Sequence, residues 1–397
     1  MKRKFLPVGQ GAFYCERFFA EECEVPVNVV YDCGTVSGLN HLKKIVDREF
    51  KETDVIDALF ISHLHEDHIN GIPMLMARCQ VKRVYLPLIS PTDLALMRLD
   101  YETRNRPSLA LDKILLGNEA LSAELFVRRM LEDPQVALSE IARSHNRNIE
   151  ILQLDCYIAG VTPQTQPSQG VEDLSGSVFS SAEKRTCVSN WHYKTFCIKN
   201  DEAVKSVMMK FRKSFVGEAT PERIAELVKE GCKDKEIKKK IRGLYAGIKG
   251  KFNSHSLTMC SGSSSDACRQ TISWVTDCSS SLSYKVPSEV ANGCLYVGDF
   301  DASNYNYWMQ INSVYNGFWK DIGCIQVPHH GSRYSFNDEL LKDGMYYVIS
   351  AGFGNQHHHP SGFVLEKFQR RNIFPFVVTQ DPHSIFCTDV NVTDCRT

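Results

Sequence analysis

The thirteen histidines of this 397-residue chain cluster rather than scatter. One group lies in Ser62-His63-Leu64-His65-Glu66-Asp67-His68, a second in Pro328-His329-His330-Gly331-Ser332, and a third at His357-His358-His359. Imidazoles beside a carboxylate suit zinc, manganese or iron. The apolar run Ala58-Leu59-Phe60-Ile61 leads straight into the first group, so that group is expected on a loop at the C-terminal end of a strand. There, His63 and His65 can face one ion across a tight turn, while Asp67 and His68 turn to a second. A chance surface cluster would not need this order after a strand. Adjacent loop residues seldom both face one site. Of His329 and His330, one is therefore expected to reach the metals and the other to face a leaving group or support its loop. A histidine tract such as 357–359 can also be plain metal scavenging, or a loop with one functional member.

His-x-His-x-Asp-His after a strand resembles the signature of the metallo-β-lactamase superfamily, and further matches follow in order. Asp32, in Val30-Tyr31-Asp32-Cys33-Gly34, is similar to the aspartate that ends an early strand and supports the metal loop. Asp299, in Val297-Gly298-Asp299, is similar to the carboxylate that bridges two metals. His359, followed by Pro360, resembles the last ligand histidine. A narrower resemblance is to the ComEC-type domains, found as the soluble nuclease part of DNA-uptake proteins and as free-standing cytosolic relatives. It is carried by Val8-Gly9-Gln10-Gly11, residues 31–34, Asn253-Ser254-His255-Ser256-Leu257, residues 297–299, Val327 to Ser332 and Ser350 to Pro360. The resemblance covers both ends of the chain. It implies an αβ/βα sandwich of two mixed sheets, with metal ligands His63, His65, Asp67, His68, Asp299 and His359. The third first-site histidine common in the superfamily has no clear counterpart: His145, His192 and His255 lie between 68 and 299, none in a Gly-His-type loop. The HHGS segment is then expected to complete the first site.

The chemistry implied is hydrolysis. Two divalent ions, zinc or manganese, about 3.5–4 Å apart would hold a hydroxide between them and clamp the oxygens of the group under attack. Asp67 sits at that centre, His329 or His330 would protonate the leaving alkoxide, and Ser332 would donate to a phosphate oxygen. The expectation is a metal-dependent hydrolase, a phosphodiesterase or nuclease acting on nucleic acid or another phosphodiester. Another hydrolase on the same scaffold (lactonase, thioesterase or cyclic-nucleotide phosphodiesterase) is the alternative within the enzymes. Outside them stands a non-catalytic, metal-stabilised module of a defence system, binding a protein partner through helical insertions.

The elements that must position these residues alternate between strand and helix, so the chain reads as α/β. Strands are expected at 13–19, 27–34, 58–63, 81–87, 255–260, 294–299, 322–328, 345–352 and 374–380, with a helix at 39–50 and a Ser/Gly-rich loop at 261–266. Residues 1–397 read as a single domain with two insertions. One, 91–150, carries apolar residues at helical spacing (Leu94, Leu96, Leu99; Leu121, Leu125, Met130). The other, 201–250, opens a helix at Thr220-Pro221 and stops it at Gly231. Between them, 151–200 is strand-like and loop sequence with a Gly/Ser/Gln/Pro-rich stretch at 161–170. Net charge is -1 overall, which argues against a global field for nucleic acid, yet Lys205 to Lys251 holds 14 basic against 6 acidic residues. Such a run is either a solvated helical face or a phosphate-tracking arm. No secretory leader or run of ~18 apolar residues stands out, so no membrane association is expected. Fifteen cysteines without C-x-x-C spacing suit a cytoplasmic protein whose thiols are mostly small core residues.

Overall fold

The structure, a computed structural model, describes residues 1–19, 26–104, 123–158, 171–174, 191–231, 234–248, 252, 255–263, 270–275, 283–288 and 290–390. Leu121, the stretch 161–170 and Asn253-Ser254 lie outside the described residues.

Two large mixed sheets dominate. In the nine-stranded sheet the spatial order is Ser283–Ser288, Gln270–Val275, Phe386–Val390, Lys2–Phe5, Phe13–Phe18, Val27–Cys33, Ala58–Phe60, Arg83–Pro87 and Glu150–Leu154. The last four of these run parallel. The second sheet runs Val171–Asp173, Trp191–Lys199, His255–Ser263, Gly293–Tyr296, Ile322–Gln326, Tyr346–Ser350 and Phe376–Val378, with Tyr157–Ile158 beside Trp191–Lys199. Its last four strands are parallel.

Alternation along the strands separates three apolar layers. From Val27–Cys33, Val29 and Tyr31 enter the layer between the sheets, where they meet Tyr193, Leu257, Tyr296 and Val348 of the other sheet. Val30 of the same strand faces the opposite way, onto helices such as Leu39–Glu49 and Ile72–Arg78. On the far side, Ile325 and Ile349 pack against Tyr305–Val314 and Gly362–Arg370. Helix, sheet, sheet, helix is the αβ/βα sandwich expected. The inter-sheet layer is rich in aromatics: Tyr296 stacks on Tyr14 and Tyr31 at 5.9 and 5.1 Å. A fully buried ion pair lies within it. Glu16 accepts from Arg3 Nε (2.7 Å) on its own sheet and from Tyr193, Ser261 and Tyr296 hydroxyls (2.8, 2.6 and 3.0 Å) on the other.

Helices Pro91–Thr103, Ala123–Met130 and Pro134–Ser144 occupy much of 91–150, and Asp201–Ser214, Pro221–Gly231 and Lys235–Tyr245 occupy 201–250. Although strands of both sheets separate them in sequence, the two groups pack together, with Tyr245 donating to the Leu96 carbonyl (2.6 Å) and Arg242 to that of Thr103 (3.0 Å). The hydroxyl of Thr220 accepts the Arg223 N–H at the helix start.

One expectation changes and another gains an exception. The strand from His255 continues to Ser263 rather than ending at 260, because Trp191–Lys199 pairs with it along its whole length, Trp191 opposite Ser263. Seven described cysteines are free and buried, but Cys156 and Cys197 form a disulfide with Cα atoms 4.5 Å apart. Strand neighbours bring these two together, and linear spacing carries no sign of it. Among the described residues no helix is long and apolar enough to cross a membrane.

Candidate metal centre

Each histidine and aspartate of the site follows a parallel strand. The loop 62–68 leaves Ala58–Phe60, Asp299 follows Gly293–Tyr296, His329 and His330 follow Ile322–Gln326, and the 357–359 tract follows Tyr346–Ser350. Because those strands point the same way within each sheet, their ends converge on one edge of the sandwich. Asp299 is thereby brought to a loop that lies far earlier in the chain.

Asp299 sits at the middle, buried, with neither carboxylate oxygen hydrogen-bonded. Its Oδ2 faces His63 Nε2 (3.6 Å), His65 Nδ1 (3.9 Å) and His329 Nε2 (3.5 Å). Its Oδ1 faces His68 Nε2 (3.2 Å) and His330 Nε2 (3.7 Å), and His330 Nε2 is 3.3 Å from Asp67 Oδ2. His68 Nε2 and His330 Nε2 are likewise buried without hydrogen bonds. Donor atoms of His63, His68 and Asp299 lie within 4.8 Å of one another, as do those of Asp67, His68 and His330. Ligands held about 2.0–2.2 Å from a tetrahedral ion stand roughly 3.2–3.6 Å apart. The spacing, the donor types and the buried atoms lacking hydrogen bonds all fit divalent cations.

The outer nitrogens of the rings are anchored. His68 Nδ1 meets Asp32 Oδ2 at 2.8 Å, and the same carboxylate accepts the Ser62 N–H (2.7 Å) and hydroxyl (2.6 Å). His330 Nδ1 lies 2.8 Å from the Ser350 carbonyl, so it carries the proton and its Nε2 lone pair faces inward. His329 Nδ1 meets Ser335 Oγ at 2.9 Å, and His65 Nε2 meets the Phe252 carbonyl at 2.7 Å.

The charges match these contacts. Burial alone would lower the His68 pKa, but Asp299 and Asp32 on either side raise it to about 10. Burial would raise Asp299, yet His329, His68 and His63 hold it well below the usual carboxylate range. His359, at the rim, is lowered to about 3 by burial and by the neighbouring imidazoles of His330, His329 and His357. Its ring lies 5.7 Å from that of His329 and 6.3 Å from that of His330, and its backbone is pinned at both ends by the Asn355 carboxamide. His357 and His358 are exposed.

Both His329 and His330 turn inward. They can do so because both take left-handed backbone conformations (φ 50° and 56°), followed by Gly331 at φ 78°. Two such residues in succession cost of order 1–3 kcal/mol each, so the surrounding packing must hold them. Ser332 is buried in the same turn, its hydroxyl accepting the Tyr334 N–H at 3.3 Å. Asp32 is left-handed too (φ 56°). Glycines let other backbone come close: a Cβ on Gly34 would stand 2.6 Å from the Asp67 carbonyl carbon and the His68 nitrogen, and Ala12, after Gly11, donates to the Asp67 carbonyl. The linear pattern pointed to none of Ser62, Ser335, Ser350 or Asn355 as supports, since each reaches the site only through the fold. Of the mid-chain histidines, His255 is buried 3.8 Å from Asp93 and His192 lies against Phe318.

An open recess adjoins the centre, lined by His65, Glu66 and Asp67 and by Met97, Asp100, Tyr101 and Arg104 of the helix Pro91–Thr103 and its C-cap.

Comparison with known proteins agrees with this geometry. Residues 27–130 match the family model of the Metallo-beta-lactamase superfamily, a stretch that contains Asp32 and the loop 62–68. The chain is 31% identical over 68 residues to Ribonuclease J of Mycoplasma genitalium, covering 16% of this chain and 12% of that protein. It is 26% identical over 133 residues to Cleavage and polyadenylation specificity factor 73 of Drosophila melanogaster, covering 33% of this chain and 18% of that protein. The chain thus spans well under a quarter of the length of either relative. The narrower likeness to ComEC-type domains rests on the motifs alone.

Proposed function

We propose that the protein is a metal-dependent phosphodiesterase acting on nucleic acid, with two divalent ions flanking Asp299. The observation that carries this reading is the Asp299 carboxylate. It is buried, has no hydrogen bonds, and presents each oxygen to a different group of donors. His63, His65 and His329 would hold one ion. Asp67, His68 and His330 would hold the other, and Asp299 would serve both. Zinc or manganese suits this mix of imidazole and carboxylate. Such ions supply a nucleophile at neutral pH and neutralise charge on phosphoryl oxygens.

The chain's own residues then have separate tasks. Asp32 and Ser350 fix which ring nitrogen of His68 and of His330 carries its proton. With both His329 and His330 facing Asp299, His359 stands at the rim, its imidazole held neutral and available as the further ligand its motif suggests. Ser332 shapes the turn that aims the pair. The two relatives, a ribonuclease and a cleavage factor, support a nucleic acid as substrate.

The test is turnover of bis-p-nitrophenyl phosphate and of single- and double-stranded DNA and RNA by protein loaded with zinc or manganese. Activity on the small diester and on at least one nucleic acid, abolished in Asp299→Ala, is expected. A fully metal-loaded protein inert on every phosphodiester would overturn the reading.

A further inference from the structure

On the loops that carry His329, His330 and the 357–359 tract, the surface bears large aromatic rings where water should be preferred. Tyr334 is 48% exposed and Phe363 39%, and Phe353, close in the chain to the 357–359 tract, is 67% exposed. Singly such residues need no explanation. Here two of them bracket a cation: the Arg333 guanidinium carbon lies 5.6 Å from the Tyr334 ring and 5.5 Å from the Phe363 ring. Arg333 itself is exposed. The three residues are also tied to the metal loops. Arg333 and Tyr334 continue the turn that begins at His329, and Phe363 follows the His359-Pro360 segment. The two loops are joined by the Ser361 N–H donating to the Gly331 carbonyl at 3.0 Å. A group bound on this rim would therefore have its position set relative to the ions.

We infer that Arg333, Tyr334 and Phe363 form a stacking platform for the unpaired bases of a single-stranded nucleic acid next to the bond that is cut. This rests on the phosphodiesterase reading and narrows its substrate. A flat π-face accepts any base, and a guanidinium between two rings can stack or meet a phosphate. A duplex keeps its base faces covered, so the rim favours strands whose bases can be splayed out. A protein partner would find apolar rings here as well. It would not explain a cation held against both rings on loops continuous with the proposed metal ligands.

The experiment compares binding of three labelled probes by anisotropy, with a phosphorothioate backbone to slow cleavage: a single-stranded oligonucleotide, the same strand with abasic sites throughout, and its duplex. Stacking is worth roughly 5- to 150-fold in Kd per base. The native protein should prefer the base-containing single strand over both other probes by at least that factor. Tyr334→Ala/Phe363→Ala should lose the preference over the abasic strand, and Tyr334→Phe should keep it. Equal affinity of the native protein for base-containing and abasic strands would overturn the platform, a result that needs no variant to fold. So would a preference that survives in the double variant. If the native protein cleaves bis-p-nitrophenyl phosphate yet shows no base preference, the platform fails and the phosphodiesterase reading stands. A metal-loaded protein inert on all diesters fails the latter instead.

Discussion

Asp32→Asn isolates what orients the centre from what binds it. The carboxylate accepts three hydrogen bonds, from Ser62 N–H, Ser62 Oγ and the His68 Nδ1 side, at 2.7, 2.6 and 2.8 Å. Asparagine has nearly the same shape but only one oxygen. If that oxygen stays with the Ser62 N–H, the amide NH2 points at His68 Nδ1. Two N–H groups cannot share that contact, so Nδ1 must give up its proton. The proton then moves to Nε2, which faces Asp299 Oδ1 at 3.2 Å and would have to offer a lone pair to the proposed second ion. If the oxygen turns to His68 instead, the Ser62 N–H is left buried without an acceptor, a cost of about 1–3 kcal/mol. Either way the proposed second ion would be held less well. Loss of such an outer partner weakens metal affinity about 10- to 100-fold, or about 1.4–2.7 kcal/mol. Competition with a fluorescent chelator would measure this on protein whose thermal unfolding is followed in parallel. One equivalent of metal should weaken by that factor while the other changes less. Two equivalents bound as tightly as in the native protein would refute the orienting role of Asp32.

Three further outcomes follow from the packing and charge. Glu16→Ala strands the fully buried Arg3 guanidinium and should cost about 3–5 kcal/mol in denaturant unfolding, whereas Arg3→Met/Glu16→Leu should recover much of it. His255 is buried, which lowers its pKa to about 4 against the opposing pull of Asp93, with Lys199 lowering it further. The unfolded chain therefore takes up this proton first. The contribution of His255 is complete above pH ~6.5 and is lost as pH falls toward ~4, up to about 3 kcal/mol, so His255→Gln should flatten the acid side of a stability-against-pH curve. Replacing Lys238, Lys239 and Lys240, on the helix Lys235–Tyr245, with Glu should weaken nucleic-acid binding and reduce its log–log salt slope by about one unit for each phosphate no longer neutralised. An unchanged slope would make this stretch a solvated face.

Much of the scaffold was legible in the chain because both sheets announce themselves locally. Val27–Cys33, Ile322–Gln326 and Tyr346–Ser350 are short apolar runs bounded by turn residues, and each stops where a site residue or its turn begins. The order of His63, His65, Asp67 and His68 after a strand pointed to a metal-binding loop, and their side chains do gather around Asp299. What stayed hidden depends on conformation or on contacts far apart in sequence. That both His329 and His330 face inward follows from two successive left-handed residues, which composition does not reveal, although Gly331 marks the turn. The Arg3–Glu16 pair joins elements that only the folded sandwich brings against Ser261 and Tyr296. The extension of His255–Ser263 is dictated by its partner strand rather than by its own residues. The same is true of the wall that Met97 and Tyr101 build beside the centre. Apolar residues at helical spacing signal a helix, but not the surface on which it will settle.

Whether Asp299 serves two ions decides the chemistry of the centre, and anomalous diffraction from crystals grown with zinc or manganese tests it directly. Two peaks are predicted, one among His63, His65 and His329 and the other among Asp67, His68 and His330, with one oxygen of Asp299 toward each. A single peak, or two peaks with Asp299 turned away from either, would contradict it.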